Sequence, residues 1–227
     1  MRNVLTSLAC LISVSVYGQG ACNNQSSVTH QGYEYDIVEI GDQCWFAENC
    51  RYLPSVSPSS SYSEIDPIYY VYDYEGTDIE VAKSTANYET YGVLYNWSAV
   101  MTEGICPSGW HIPSDGEWQT MEVSLGMSES EASSTSFRGA PVGDYLKSTS
   151  GWNYDGNGTN SSGFNGLPAG YADTDGFYVN GKFAYWWSSS ASGSSGTWQR
   201  FLYGDSVSVF RVNDVGHFGL SARCARD

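Results

Sequence analysis

The chain has 227 residues, with 10 Lys and Arg against 25 Asp and Glu, a formal charge of −15. That balance argues against nucleic acid, whose phosphates it cannot neutralise, and against docking on anionic lipid. Its 25 Gly, 18 Tyr and 8 Trp favour short strands, many turns and an aromatic core in one domain, or at most two small ones.

Arg2, the apolar run Val4 to Val16 and the following Tyr17-Gly18-Gln19 read as a cleaved secretory leader over residues 1–18. The run is too short to span a bilayer as a helix. Lipid attachment at Cys10 is the poorer reading, because Ser7 stands where such a site expects an aliphatic residue. Residues 19–30 are polar and aperiodic, a flexible lead. Tyr33–Ile40 alternates as a strand ended by Gly41-Asp42, and Gln43–Phe46 is a second. A Ser/Pro-rich loop over 54–63 precedes a strand over 68–74, with Tyr70, Tyr72 and Tyr74 on one face. A short helix is predicted from Asn96 to Met101. The clearest helix opens on the capping box Ser114-Asp115-Gly116-Glu117, continues through Trp118, Met121, Val123 and Leu125, and stops at Gly126. Residues 139–181 are dense in turn formers. From Phe183 the chain reads as all-β, with strands over 183–188, 197–203, 207–211 and 218–225. The fold class is α+β: two short helices, short antiparallel sheets and many loops.

Cleavage of the leader would leave Cys22, Cys44, Cys50, Cys106 and Cys224 in an oxidising compartment, where they are disulfide candidates. No Cys-x-x-Cys and no nearby histidine pair suggests zinc. Five is odd, so one thiol is left over.

Several blocks carry a family resemblance. They are Tyr35–Tyr52, Tyr91–Trp97, Cys106–Trp118 (with Gly109-Trp-His-Ile-Pro-Ser-Asp-Gly-Glu-Trp118), Gly163–Tyr171, Tyr185–Ser189 and Ser221–Asp227. In order and spacing, residues 31–227 resemble the Fibrobacter succinogenes major paralogous domain. The chain departs from the pattern at Cys50, where leucine is more usual, and at the acidic insertion around Asp73 to Glu80. The resemblance implies an extracellular or surface protein with a C-type lectin-like fold and a disulfide from Cys106 to Cys224. Cys44 with Cys50 is the second pair expected, leaving Cys22 free, although sequence spacing leaves other pairings open.

Some members of this family also resemble the variable proteins of diversity-generating retroelements, whose randomised asparagine codons cannot become Lys, Glu, Met, Gln or Trp. Residues 188–227 contain no Lys, Glu or Met, and one Trp and one Gln, at Trp198 and Gln199. The family pattern keeps Trp198, Arg200, Leu202, Val209, Arg211, Gly219 and Arg223 as framework. Strand alternation then leaves Phe201, Tyr203, Asp205, Phe210, Val212, Asn213, Asp214, Val215, His217 and Phe218 as the candidate ligand-binding residues. Aromatic anchors among small polar residues suit a binding surface on a rigid scaffold. The plainer reading makes Phe201, Phe210 and Phe218 core residues; the resemblance tips the balance toward display.

Other features carry less. Tyr171–Gly176 and Asp155–Asn160 cluster oxygens of a calcium-loop type, but neither completes the twelve-residue pattern. Val212-Asn213-Asp214 lacks the tryptophan of a lectin sugar-and-calcium motif. No cofactor or metal is therefore expected, with calcium as the alternative. Among the histidines, His111 reads as satisfying a core hydrogen bond rather than serving as a base. No nucleophile elbow, zinc-protease motif or phosphate loop appears. The expectation is a non-catalytic recognition or adhesion protein without a transmembrane segment, binding a protein or glycan on another cell, phage or host. A structural surface or matrix protein is the alternative, and a secreted polysaccharide hydrolase the second.

Overall fold

The computed structural model describes residues 20–194 and 196–227; the leader expected over 1–18 lies outside them. The chain opens with β1 (Ser27–His30), β2 (Tyr33–Ile40) and β3 (Gln43–Phe46), antiparallel in sequence order. A middle section follows: β4 (Tyr69–Tyr70), α1 (Ile79–Lys83), α2 (Ala86–Tyr91), β5 (Leu94–Tyr95) and α3 (Trp97–Val100), with β4 and β5 paired. Then come α4 (Asp115–Ser124), α5 (Glu129–Ser133), β6 (Ser136–Arg138), α6 (Val142–Leu146) and the hairpin β7 (Tyr171–Asp173) and β8 (Gly176–Tyr178). The long strands β9 (Phe183–Ser192), β10 (Gly196–Tyr203) and β11 (Val209–Asp214) complete a sheet of order β6-β11-β10-β9. The last strand, β12 (Ala225–Arg226), returns beside β3, so the first sheet has the order β1-β2-β3-β12. The fold is α+β.

Local chemistry sets the helix starts. Ser114 Oγ accepts from Glu117 N at 3.2 Å and Glu117 Oε2 accepts from Ser114 N at 2.6 Å, closing the box that opens α4. Past its end, Gly126 takes φ 114°, a conformation that suits glycine. Asn96 Oδ1 caps α3 through Ala99 N and also accepts from Ile68 N, tying the helix to the strand beside it. Among the described residues there are six helices instead of two. The additional four have five or six residues, too few for periodicity to reveal; Asp78, Thr85 and Ser128 cap three of them.

Two expected strands shrink. The segment 68–74 pairs only at Tyr69–Tyr70, and turns at Asp73, where φ is 61°. The segment 218–225 makes single bridges to several elements, Leu220 to Tyr95, Gly219 to Ala172 and Ser221 to Trp186, before pairing as β12. It works as a seam between layers.

Strand alternation divides the interior. Every residue of β3 is buried: Cys44 and Phe46 point into a core with Tyr35, Trp110 and Trp187, while Trp45 points into another with Trp118, Phe164, Trp186 and Leu202. Rings of the second core follow one another closely, Trp45–Trp118 at 5.0 Å, Trp118–Phe164 at 5.7 Å and Phe164–Trp186 at 5.4 Å. Arg223 is fully buried without a carboxylate; it donates to Asn49 Oδ1 and to the carbonyls of Phe46, Phe164 and Asn165. Burial pushes its pKa downward.

Two disulfides staple the domain, Cys106–Cys224 and Cys22–Cys44. The second corrects the expected Cys44–Cys50 pair, and with it the flexible lead over 19–30. Cys22 is buried, and the strand after it zips onto β2, carrying Cys22 to a Cα separation of 5.0 Å from Cys44. Cys50 is the free thiol among the described residues. It sits 3.5 Å from Cys224 Sγ, which Cys106 already occupies, and burial pushes its pKa up to about 12.

Candidate functional site

The sheet β6-β11-β10-β9 presents two chemically opposite faces. On the inner face, Arg138, Arg211 and Arg200 project from three adjacent strands toward α4, which supplies Asp115 and Glu122 two turns apart. Arg200 bridges both carboxylates, reaching Asp115 at 2.8 Å and Glu122 at 2.7 Å. Arg211 holds Asp115 through Nε and Nη2 at 2.9 and 2.7 Å, and Arg138 holds Glu122 at 2.5 Å. Burial by itself raises the Asp115 carboxyl; the hydrogen bonds and charges of Arg211 and Arg200 outweigh it and hold the group below the usual carboxylate range. The network satisfies charges that would otherwise be prohibitively costly to bury, and it fixes the sheet on the helix.

On the outer face the strands place aromatic rings in register. Phe137 lies opposite Phe210, Phe210 opposite Phe201, and Phe201 opposite Tyr185, one residue from each of the four strands. Ring centroids follow at 4.7, 4.1 and 5.1 Å. Beside this row, Tyr203 stacks on Phe183 at 4.5 Å. The row continues off the sheet through Tyr171, 5.4 Å from Tyr185, to Phe218 at 5.8 Å. Phe137 is 51% exposed, and Phe201, Phe210 and Phe218 are half-buried. Phe137, Phe201 and Phe210 belong to neither core, whereas Phe218 leans on the first one with Tyr171 and Tyr185.

A cleft of about 370 Å³ opens along this face. Its walls come from Tyr185 on β9, Gln199 and Phe201 on β10, Phe210, Val212 and Asp214 on β11, Tyr171 and Asp173 on β7, and the seam residues Phe218 and Leu220. Burial raises the phenols of Tyr171 and Tyr185, so both stay neutral near pH 7. Gln199 is 4% exposed, and its Oε1 accepts no hydrogen bond.

Of the residues predicted to bind, Phe201, Phe210, Val212, Asp214 and Phe218 are thus brought together. Tyr203 shares their face, with its hydroxyl 2.5 Å from the exposed Asp205. His217 stands at the edge, meeting Tyr62 edge-on, tilted against Phe218 and 3.5 Å from Asp173. Asn213 and Val215 are exposed but outside the cleft; Asn213 pairs with Trp198. Arg200, Leu202, Val209, Arg211, Gly219 and Arg223 are buried. Trp198 is half-buried at a break in the β9–β10 register, with the Arg211 guanidinium 3.6 Å from its ring centroid. Sequence reasoning missed Phe137, Phe183, Tyr171, Asp173, Tyr185 and Gln199. Outward position on β9 could have revealed Phe183 and Tyr185; nothing local marks Phe137 or the hairpin.

Four side-chain oxygens of the calcium-type loops are engaged within the chain. Asp173 Oδ1 accepts from Thr174 N and Asp175 Oδ1 from Tyr178 Oη; Asn157 and Asn160 accept from Trp152 N and Asn165 N. Among the described residues no three His, Cys, Asp or Glu side chains gather as a metal site would require. His111 does not satisfy the core: it is exposed, with Nε2 2.5 Å from Glu117 Oε1.

These features define a disulfide-stapled α+β domain with an ionic network behind one sheet and an aromatic surface in front of it. The model of the Fibrobacter succinogenes major domain matches residues 38–226, and the chain belongs to that family. No curated protein and no solved structure matches it.

Proposed function

We propose that the protein is an exported recognition module that binds a protein or glycan on another cell, phage or host through the outer face of its second sheet, without turning it over. The unbroken row of rings from Phe137 to Tyr185, half-open to solvent across all four strands, carries this reading. Large rings supply contact area at low entropic cost, and here each is held by its neighbours and by a rigid sheet. Two disulfides support export to an oxidising compartment. Among the described residues no helix is long and apolar enough to cross a membrane. The C-type lectin-like scaffold is supported by the staple from the segment before α4 to the end of the chain and by the closure of β12 on β3.

The same division of labour suits a changeable face. Side chains at Phe201, Phe210, Val212 and Phe218 can be exchanged without touching the inner arginines. A near-identical downstream repeat differing at adenines, beside a reverse transcriptase gene, would mark such diversification; natural copies varying at Arg200, Arg211 or Arg223 would contradict it.

The direct test compares fluorescently labelled wild type with the Phe201→Ser/Phe210→Ser variant on a panel of bacterial, phage and host-cell surfaces. Expected is saturable binding that weakens about tenfold or more in the variant, which circular dichroism should show still folded at the assay temperature. Equal binding by both proteins would reject the aromatic face. Polysaccharide turnover abolished by one Asp or Glu substitution would reject the non-catalytic reading.

A further inference from the structure

The charged groups of the cleft are both carboxylates, and the Tyr171 and Tyr185 hydroxyls and the Gln199 amide add groups that donate as well as accept. Asp173 and Asp214 line it, and in each the Oδ1 atom is engaged, by Thr174 N and His217 in one case and by Val215 N in the other. Neither Oδ2 receives a hydrogen bond from the described residues. Gln199 adds an amide oxygen that is buried and unpartnered. Turning this amide toward a bound donor would recover the free energy that the orphaned acceptor costs. No Lys or Arg lines the cleft, and His217 stands at its edge beside Asp173. Between the acceptors lie aromatic faces, with Tyr185, Phe201 and Phe210 forming a continuous wall.

We propose that this cleft takes the guanidinium of an arginine side chain presented by a protein partner. The inference rests on the recognition reading of the face and names the chemistry it recognises. Aromatic faces attract cations, and a planar, weakly hydrated guanidinium stacks on rings while donating to carboxylates on its edge. An ammonium offers a compact, strongly hydrated charge and no plane. The cleft lies at the small end of the range for ligand sites, which suits one anchoring side chain with its apolar stem along Val212 and Leu220. The chain uses the same arrangement on the inner face of this sheet, where Arg211 stacks on Trp198 at 3.6 Å and is held by Asp115. A net charge of −15 steers a basic partner toward it.

The test titrates the full domain with N-acetyl-arginine amide and with its neutral isostere N-acetyl-citrulline amide, following aromatic NMR shifts in physiological salt. Expected is binding of the arginine probe about tenfold tighter than the citrulline probe, a preference lost in Asp173→Asn/Asp214→Asn. The charge-matched Asp42→Asn/Glu103→Gln variant, altered at exposed sites outside the cleft, should keep it. Where the double cleft variant fails to fold, Asp214→Asn alone carries the comparison, since Asp214 is exposed at the end of β11. Equal affinity for the two probes, or equal loss in the charge-matched variant, overturns the proposal. If that happens while Phe201→Ser/Phe210→Ser still weakens cell-surface binding, the guanidinium site falls and the recognition face stands. If the aromatic substitutions leave both assays unchanged, both readings fall.

Discussion

Asp115 shows how single side chains divide structural from surface roles. Its two oxygens face Arg200 and Arg211, so Asp115→Asn leaves buried guanidinium groups short of charge, at a cost of about 3 kcal/mol or more. The carboxyl is held low in the folded protein, so its ionised form favours folding at every pH above its unfolded value, about 3.9. That contribution disappears as the pH falls through the lower folded value. Urea unfolding should therefore find the largest gap between wild type and Asp115→Asn near pH 7, narrowing progressively below about pH 4. A gap that stays constant into acid would show the charge to be unimportant. Asp115 was legible as a helix-capping neighbour but not as the hub of an ionic network, because its partners lie 85 and 96 positions away.

At the scale of elements, the seam between Phe218 and Ala225 controls where the aromatic face ends. Gly219 is buried there, and a Cβ on it would come within 2.7 Å of the Tyr70 ring and 2.8 Å of Ala172 Cβ. Gly219→Ala must push the seam off β4 and β7, for a melting temperature lower by roughly 4–8 °C. Gly116→Ala, on the first turn of α4 where the nearest atom is 3.8 Å away, should leave melting unchanged or slightly higher. Equal losses at the two positions would show that the seam accommodates a methyl group as readily as the exposed helix does. The three long strands of the second sheet were readable from alternation, which sets buried residues such as Ala184, Leu202 and Val209 against open rings; β6, three residues long, was not. The seam was not, since its residues bridge in turn to different layers and follow no period.

Across the whole molecule, two cross-links tie distant segments together. Cys106–Cys224 spans 118 positions and Cys22–Cys44 spans 22. Chain-entropy reasoning gives losses of about 5 and about 3 kcal/mol for Cys106→Ala/Cys224→Ala and Cys22→Ala/Cys44→Ala, measurable by urea unfolding. Both cysteines must be replaced together, because Cys50 lies 3.5 Å from Cys224 Sγ and is placed to capture it when Cys106 is absent. A larger loss from the shorter loop would indicate that folded-state contacts, not unfolded-chain entropy, dominate.

What the sequence determined by itself was local: the β2 and β3 strands, the capping box of α4, the α+β class and the alternation of β10 and β11, each set by short-range sterics and hydrogen bonding. The family blocks also identified the long disulfide. Tertiary structure alone decided the rest. Cys22 finds Cys44 because β1 zips onto β2, and Phe137 joins Phe210, Phe201 and Tyr185 because four strands distant in sequence align in one register. The ionic hub likewise needs a helix and three strands to meet. Such pairings depend on how layers pack, and no window of neighbouring residues contains that information.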